Sequence, residues 1–467
     1  MQAGSAVAAT RKSTGPAIAS RYPRMDTCPS GLMSRVGSVN ADTEKPRRHA
    51  SQWYCRRMLT WISPGTIGTA INPIASAIKY AHKVIEMTKK ISLVNPISAI
   101  RKRTPTAIVY CEANFGAIDG KSANGLVRLS ERYEILSVID SEKAGLDAGM
   151  VLDGKPNAIP ICRDLAESLE KAVTVPDFFI FGMAPSSGML SLHERGLVLE
   201  AIVHGMNIVN GLHEFLGDDP VFKAACAVSH VEILDVRKPP AKRDLHLFTG
   251  DIAKVTCPVI AMLGTDCAIG KRTTATILSR ALNDRGVKTV MIGTGQTGLI
   301  QGARYGVALD AIPSQFCAGE LEAMIIKAFM VESPDVILIE GQGALSHPAF
   351  STSSFILRGA CPDAVVLQHA PGRKARCDFP QMAMPTPSAE INLIETFART
   401  TVIGVTINHE NMSDAEVSSA ILRYENELGI PATDALCRSA EHLVEMVAVS
   451  YTHLTLPTKC RKGGGGG

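Results

Sequence analysis

Short apolar runs that alternate with helical stretches predict an α/β protein whose chain folds into two doubly wound parallel-sheet domains. Three observations carry that prediction. Residues 264–274, reading Gly-Thr-Asp-Cys-Ala-Ile-Gly-Lys-Arg-Thr-Thr, lie between the apolar run 258–263 and a helical pattern over 275–282. Upstream and downstream of a linker rich in proline and charge, 235–244, stand two separate sets of strand-length apolar runs. Within each set the runs are spaced by helix-length segments, the pattern of a parallel sheet rather than of hairpins.

The glycine loop defines the second domain, 241–449. Gly264 and Gly270 let the backbone turn so that successive N–H groups point inward, and the helix that follows adds its partial positive charge. Gly264, Thr265, Asp266, Gly270, Lys271, Thr273 and Thr274 are therefore expected to hold a phosphorylated cofactor, with Lys271 reaching over the phosphates. This is a P-loop NTPase-like start. Its spacing is one residue longer than the common motif, with Thr-Asp after the first glycine, and it resembles the dethiobiotin synthetase and cobyrinate amidase branch of P-loop proteins. Arg272 stands where that motif places the Ser or Thr that holds Mg²⁺ on a nucleoside triphosphate. A phosphorylated cofactor bound without metal is the expected consequence, with ATP and Mg²⁺ as the alternative. A second strand begins near Val287 and ends in a glycine-rich turn, a helix covers 318–331, and the run 335–340 closes on Glu340 beside Gly-Gln-Gly. Strands over 364–368 and 401–408 complete about five. Asn408 occupies the position that reads adenine in the dethiobiotin synthetase branch, or else it caps a strand-end turn.

The first domain, 105–240, has strand candidates at 107–111, 133–139, 178–181 and 206–209, with helices over 163–171 and 192–204. This half is Rossmann-like. It has no Gly-x-Gly-x-x-Gly after its first strand, so Asp140, ending the second strand, is read as a strand-end or helix-capping residue rather than a ribose contact.

The net charge of +3 hides an uneven distribution. Residues 1–104 carry 17 Lys and Arg against 4 Asp and Glu, whereas 105–449 carry 28 against 41. An acidic folded part argues against a nucleic-acid partner. Residues 1–104 read as a transit-like segment or an over-extended start, and 450–467 as a non-native tail outside the fold. Twelve cysteines are scattered singly without a Cys-x-x-Cys pair, which points to a reducing compartment and a cytoplasmic location, or an organellar one if the extension is a transit segment. No metal site is expected. Cys267, inside the loop, is either a nucleophile with a lowered pKa or a small residue that fits. No apolar run approaches membrane-spanning length.

Four motifs taken in order, Glu112-Ala-Asn-Phe-Gly, the loop at 264–271, Glu340-Gly-Gln-Gly-Ala-Leu-Ser-His-Pro348 and Gln368-His-Ala-Pro-Gly-Arg373, resemble a bacterial and archaeal family long labelled as of unknown function. Its characterised members are D-glutamate N-acetyltransferases of the DgcN type. The resemblance implies acetyl-CoA as cosubstrate, a small amino-acid substrate, and transfer of acetyl to an amine in D-amino-acid catabolism; a homo-oligomer is expected besides. A non-catalytic nucleotide-binding protein and an ATP-dependent ligase or kinase are the rival readings.

Amine acetylation needs a proton acceptor and donors for the developing oxyanion. Glu340 and His347 are the candidate bases. Glu340 is alternatively an orienter of Lys271, and His347 a loop histidine with a local hydrogen bond. A dicarboxylate substrate also needs cations, and Arg373 and Arg376 supply them unless their loop is simply solvated. His369 shares the site or packs beneath it.

Overall fold

The structure, a computed structural model, describes residues 103–185 and 187–455, with side chains as far as residue 448. The transit-like or over-extended segment, apart from its last two residues, lies outside them.

The first domain runs β1 Thr106–Tyr110, α1 Lys121–Arg128, β2 Glu134–Ile139, α2 Ala148–Asp153, β3 Ile161–Cys162, α3 Leu165–Lys171, β4 Phe178–Phe181, α4 Leu192–Val203, β5 Asn207–Asn210, α5 Pro220–Ser229 and β6 Ile233–Asp235. Its six strands are all parallel in the order β3-β2-β1-β4-β5-β6. That is the Rossmann order, with the chain reversing direction between β1 and β4. β1 is buried along its whole length, as a central parallel strand must be, and reads as a continuous apolar run for that reason. The segment standing in place of a glycine fingerprint is the start of α1, which leaves Gly120. A side chain at Gly120 would meet the Asn114 carbonyl at 2.1 Å, so the turn closes only with glycine.

The second domain runs β7 Val259–Gly264, α6 Lys271–Asp284, β8 Thr289–Gly293, α7 Gln296–Gln301, β9 Tyr305–Gly306, α8 Ser314–Glu332, β10 Val336–Glu340, α9 Thr352–Ala360, β11 Ala364–His369, α10 Pro387–Ala398, β12 Thr401–Ile407, α11 Asp414–Leu428, β13 Ala432–Asp434 and α12 Ala440–Thr455. Seven parallel strands are ordered β13-β12-β11-β7-β10-β8-β9. The five strands expected here are all present, and β9 and β13, too short to show a period, are added at the edges. The last helix runs six residues into the segment read as a tail, whose remainder lies outside the described residues.

Apolar side chains pack on both faces of the second sheet, in one cluster around Leu263, Ile339 and Leu367 and another around Met262, Leu338 and Val366. Alternate residues of the same strands supply the two clusters, which is the period-two rule expressed in a fully covered sheet. The two domains also pack on each other. Ile300 of α7 belongs to the core of the first domain, and Gln301 donates from Nε2 to the carbonyls of Gly125 (2.7 Å) and Leu129 (2.8 Å). Both sheets thus present their carboxyl ends, where ligands of open α/β sheets bind, from one continuous body.

Candidate active site

The loop between β7 and α6 crosses the carboxyl end of the second sheet where its order reverses, between β7 and β11. Gly270 adopts φ +95°, a conformation that favours glycine, and Ala268 carries a positive φ of 48°. Thr265 is tied to the neighbouring strand twice, by its N–H to the Gln368 carbonyl (3.0 Å) and by its hydroxyl to His369 Nδ1 (2.8 Å). Lys271 is buried, its Nζ donates to the Asp266 carbonyl, and burial pushes its pKa down. Thr273 is half-buried on the first turn of α6, and the Thr274 hydroxyl donates to Gln368 Oε1 at 2.6 Å.

Arg272 turns away from the loop. Its Nε donates to Gln301 Oε1 at 3.1 Å, so it reaches the first domain through the same glutamine that bonds Gly125 and Leu129. The residue in the metal-holding position of the motif is therefore part of the interdomain contact.

The two arginines expected to clamp a substrate brace the loop in this structure. Arg373 donates to the carbonyls of Cys267 (3.0 Å) and Ala268 (2.9 Å) and pairs with Glu410 (2.7 Å). Arg376, buried, donates to the carbonyls of Thr265 and Ser346, both at 3.2 Å. Neither is a solvated basic residue. Asn408 accepts the Glu410 N–H through Oδ1 at 2.9 Å, which is a turn cap, while its amide nitrogen lies 3.8 Å from where a side chain at Gly270 would begin. His369 is buried under the loop, edge-on to Tyr424, and burial pushes its pKa down to about 4.

The two candidate bases are separated. Glu340, at the end of β10, is buried and accepts the Thr294 N–H at 2.9 Å. A side chain at Gly298 would begin 2.2 Å from its carboxylate, so α7 approaches Glu340 only because that residue is glycine. Desolvation raises the Glu340 pKa, and no hydrogen bond or ion pair among the described residues joins it to His347.

His347 instead meets Asp266. Its Nδ1 accepts the N–H groups of Ala349 and Phe350, each at 3.3 Å, so the neutral ring carries its proton on Nε2. That Nε2 is buried without a hydrogen-bond partner, and so is Asp266 Oδ1, 3.9 Å away. The other Asp266 oxygen accepts the Cys377 N–H at 2.8 Å. Desolvation, aided by Arg376, pushes the His347 pKa down and keeps the ring neutral. The ring stacks on Phe350 with centroids 4.7 Å apart. Asp266, Cys267 and His347 are metal-ligating residue types with donor atoms within 4.8 Å of one another. A metal-bound histidine, however, presents its other ring nitrogen as an N–H to an acceptor, and here that nitrogen faces two N–H donors.

Three contributors have roles that sequence reasoning did not assign, although Gln368 opens one of the four motifs. Glu390 of α10, fully buried, accepts the Leu345 N–H (2.7 Å) and Ser346 N–H (3.2 Å) and so fixes the loop that carries His347. Gln368 bonds Thr274, and Cys377 closes on Asp266. All three act across 44 or more residues of sequence, and no local spacing announces them.

The family description of a domain of unknown function, the DUF1611 P-loop domain, matches residues 246–444, and the Rossmann-like DUF1611 N-terminal domain matches 141–239. A D-glutamate N-acetyltransferase from a Pseudoalteromonas species is 32% identical over 273 residues, covering 57% of this chain and 80% of the relative. A second, from Tritonibacter scottomollicae, is 29% identical over 281 residues, covering 58% and 80%. A crystal structure of a DUF1611 family protein from Anabaena variabilis superposes with a TM-score of 0.68 at 30% identity, over 74% of this chain and 99% of that one. The chain therefore belongs to the family that joins the DUF1611 Rossmann-like and P-loop domains, the family of its D-glutamate N-acetyltransferase relatives.

Proposed function

We propose that this protein transfers an acetyl group from acetyl-CoA to the amine of D-glutamate or a related D-amino acid. The observation that carries this reading is a phosphate-type loop with its lysine and helix N-terminus in place but with Arg272, engaged at the domain contact, where a metal-holding hydroxyl belongs. Coenzyme A offers phosphates that need no such hydroxyl, and the kinship with D-glutamate N-acetyltransferases supports the same reaction class. The pantetheine arm is much longer than the spacing between the loop and His347. A cofactor anchored by its phosphates at Lys271 therefore folds its arm back along the loop to bring the thioester to the buried pair.

In this reading His347 Nε2–H faces the thioester carbonyl as an oxyanion donor, and Asp266 Oδ1 accepts the amine proton. Glu340 acts as a positioning residue that holds the Thr294 turn. The test is thiol release from acetyl-CoA across a panel of D- and L-amino acids. Release that depends on a D-amino acid, with the N-acetyl product identified, is expected. ATP raising the melting temperature while acetyl-CoA does not would favour the ATP-dependent rival, because a ligand bound only to the folded state stabilises it.

A further inference from the structure

The geometry points to Cys267 as a catalytic nucleophile that carries the acetyl group between acetyl-CoA and the amino acid, a role that rests on the acetyl-transfer reading above. Cys267 is the residue after Asp266, on the lip of the loop just before the 14-residue helix α6. Its Sγ, an Asp266 oxygen and a His347 ring nitrogen all lie within 4.8 Å of one another. Two of those partners have atoms that are fully buried and without a hydrogen bond: one acceptor, Asp266 Oδ1, with Arg376 3.9 Å away, and one donor, His347 Nε2–H, with Asp378 3.7 Å away. A donor beside an acceptor, neither of them hydrogen-bonded, with a thiol next to both, is the set that acyl transfer through a thioester uses. The donor meets the oxyanion, the acceptor takes the amine proton, and the sulfur holds the acyl group.

The surroundings of the sulfur favour the thiolate, which is the attacking form. Cys377, whose thiol donates to Asp378 (3.3 Å) and to the Cys267 carbonyl (3.8 Å), and nearby Lys271 hold the Cys267 pKa below the ordinary thiol value, against burial and the carboxylates of Asp378 and Asp266. The thiol is half-buried rather than sealed. Gly343 of the facing loop lies beside it, where a side chain would begin 3.9 Å from the sulfur, in ordinary contact.

The steps balance without a further reactant. The Cys267 thiolate attacks the acetyl carbonyl, the tetrahedral oxyanion accepts from His347 Nε2–H, and the carbon–sulfur bond to coenzyme A breaks. Coenzyme A leaves as a thiolate and takes a proton from solvent. The neutral amine of the amino acid then attacks acetyl-Cys267, its proton passes to Asp266 and on to solvent, and Cys267 departs again as a thiolate.

The test uses the full chain with acetyl-CoA and no amino acid. Intact-mass and peptide analysis is expected to show one added acetyl group on Cys267, discharged when the amino acid is supplied, and labelled coenzyme A is expected to exchange into acetyl-CoA. Double-reciprocal plots should be parallel. Cys267→Ala should lose both label and exchange, while Cys361→Ala, on the exposed surface, should keep them. Because a loop variant can misfold, Cys267→Ser is measured beside it, and a folded serine or alanine variant that turns over at the wild-type rate overturns the proposal. N-acetyl product formed with no acetyl-enzyme and no exchange overturns the nucleophile while leaving the transferase reading intact. Absence of product from every amino acid overturns that reading itself. A stoichiometric zinc ion that blocks alkylation of Cys267 also overturns the proposal, since the sulfur is then a ligand.

Discussion

The two domains are built alike yet treat the turn after their first strand in opposite ways. After β1, Asp140 accepts the N–H groups of Phe115 and Glu142, both at 3.1 Å, and Glu112 accepts the Ser141 N–H at 2.9 Å. The Phe115 N–H, in the turn after β1, is thus taken by the protein's own carboxylate, and the two other donors cap the turn after β2. After β7 the arrangement is reversed, with carbonyls braced by Arg373 and Arg376 and with Asp266 Oδ1 and His347 Nε2 buried without a hydrogen bond. A buried polar atom without a hydrogen bond is costly, and two of them beside one thiol in one loop are what a bound molecule would complete. Two similar sheets therefore differ in the turns they build, and the proposed function belongs to the second.

The sharpest way to break that comparison is to remove the open donor. His347→Phe keeps a ring to stack on Phe350 but deletes the Nε2 donor, and kcat is expected to fall by roughly 10²–10³, the cost of one oxyanion-hole donor. Acetyl-CoA affinity should stay near the wild-type value. Glu340→Gln should cost less, because its carboxylate meets the Thr294 backbone and not the reacting atoms. Steady-state kinetics on both variants decide the matter, and equal losses would mean that Glu340 is itself in the reaction.

A second prediction concerns the support beneath the loop. His369 has a pKa near 4 in the folded protein against an ordinary value of 6.5, so between these values the unfolded chain binds more protons than the folded one. Stability then rises with pH across this window and is lost as pH falls from about 6.5 towards 4, by about 3 kcal/mol in all. His347 acts in the same direction, whereas the raised pKa of Glu340 opposes it. Denaturant titrations of the wild type and His369→Gln isolate the contribution of His369. Parallel pH profiles for the two proteins would show that His369 does not titrate in this way.

Much of this contrast was legible in the sequence, and the reason is local. The loop, its strand and its helix are contiguous, so Gly264, Gly270 and Lys271 announce themselves by spacing, and Asp140 was readable as a capping residue because caps are local too. What the sequence did not reveal lies between loops distant along the chain. In the sequence Arg373 and Arg376 read as cations for a dicarboxylate substrate or as a solvated basic loop, and the structure shows that the two loops meet and both arginines donate to backbone carbonyls, which rules out the solvated reading. The pairing of Asp266 with His347 rather than of Glu340 with His347 depends on how Glu390 folds the 345–346 segment, and no pattern in the chain encodes it.

A third prediction tests the loop directly. Lys271→Ala is expected to weaken acetyl-CoA binding by about 2 kcal/mol, the scale of a charge-assisted hydrogen bond, or roughly thirtyfold in Kd. Calorimetry on the folded variant measures it. In the first domain Lys143→Ala, which breaks the Lys143–Asp140 pair at 3.3 Å, should leave acetyl-CoA affinity unchanged. An unchanged Kd for Lys271→Ala would place the cofactor phosphates elsewhere and remove the functional contrast between the two turns.

The smallest expected effect is none at all, and it bears on Arg272. In a P-loop that works on a nucleoside triphosphate, the hydroxyl after the lysine holds Mg²⁺, which bridges the phosphates and neutralises charge in the transition state. Here that position is an arginine bonded to Gln301, and the next hydroxyl but one, on Thr274, is bonded to Gln368. The hydroxyl directly after the lysine is thus replaced, and acetyl transfer breaks no phosphate bond and needs no such ion. Turnover measured with EDTA present is therefore expected to equal turnover with added Mg²⁺. Arg272→Thr should restore the hydroxyl but cut the link to Gln301, so its expected signature is a lower melting temperature without any gain of Mg²⁺ dependence. Activity abolished by EDTA and restored by Mg²⁺ in the wild type would mean that the open turn handles a nucleoside triphosphate after all.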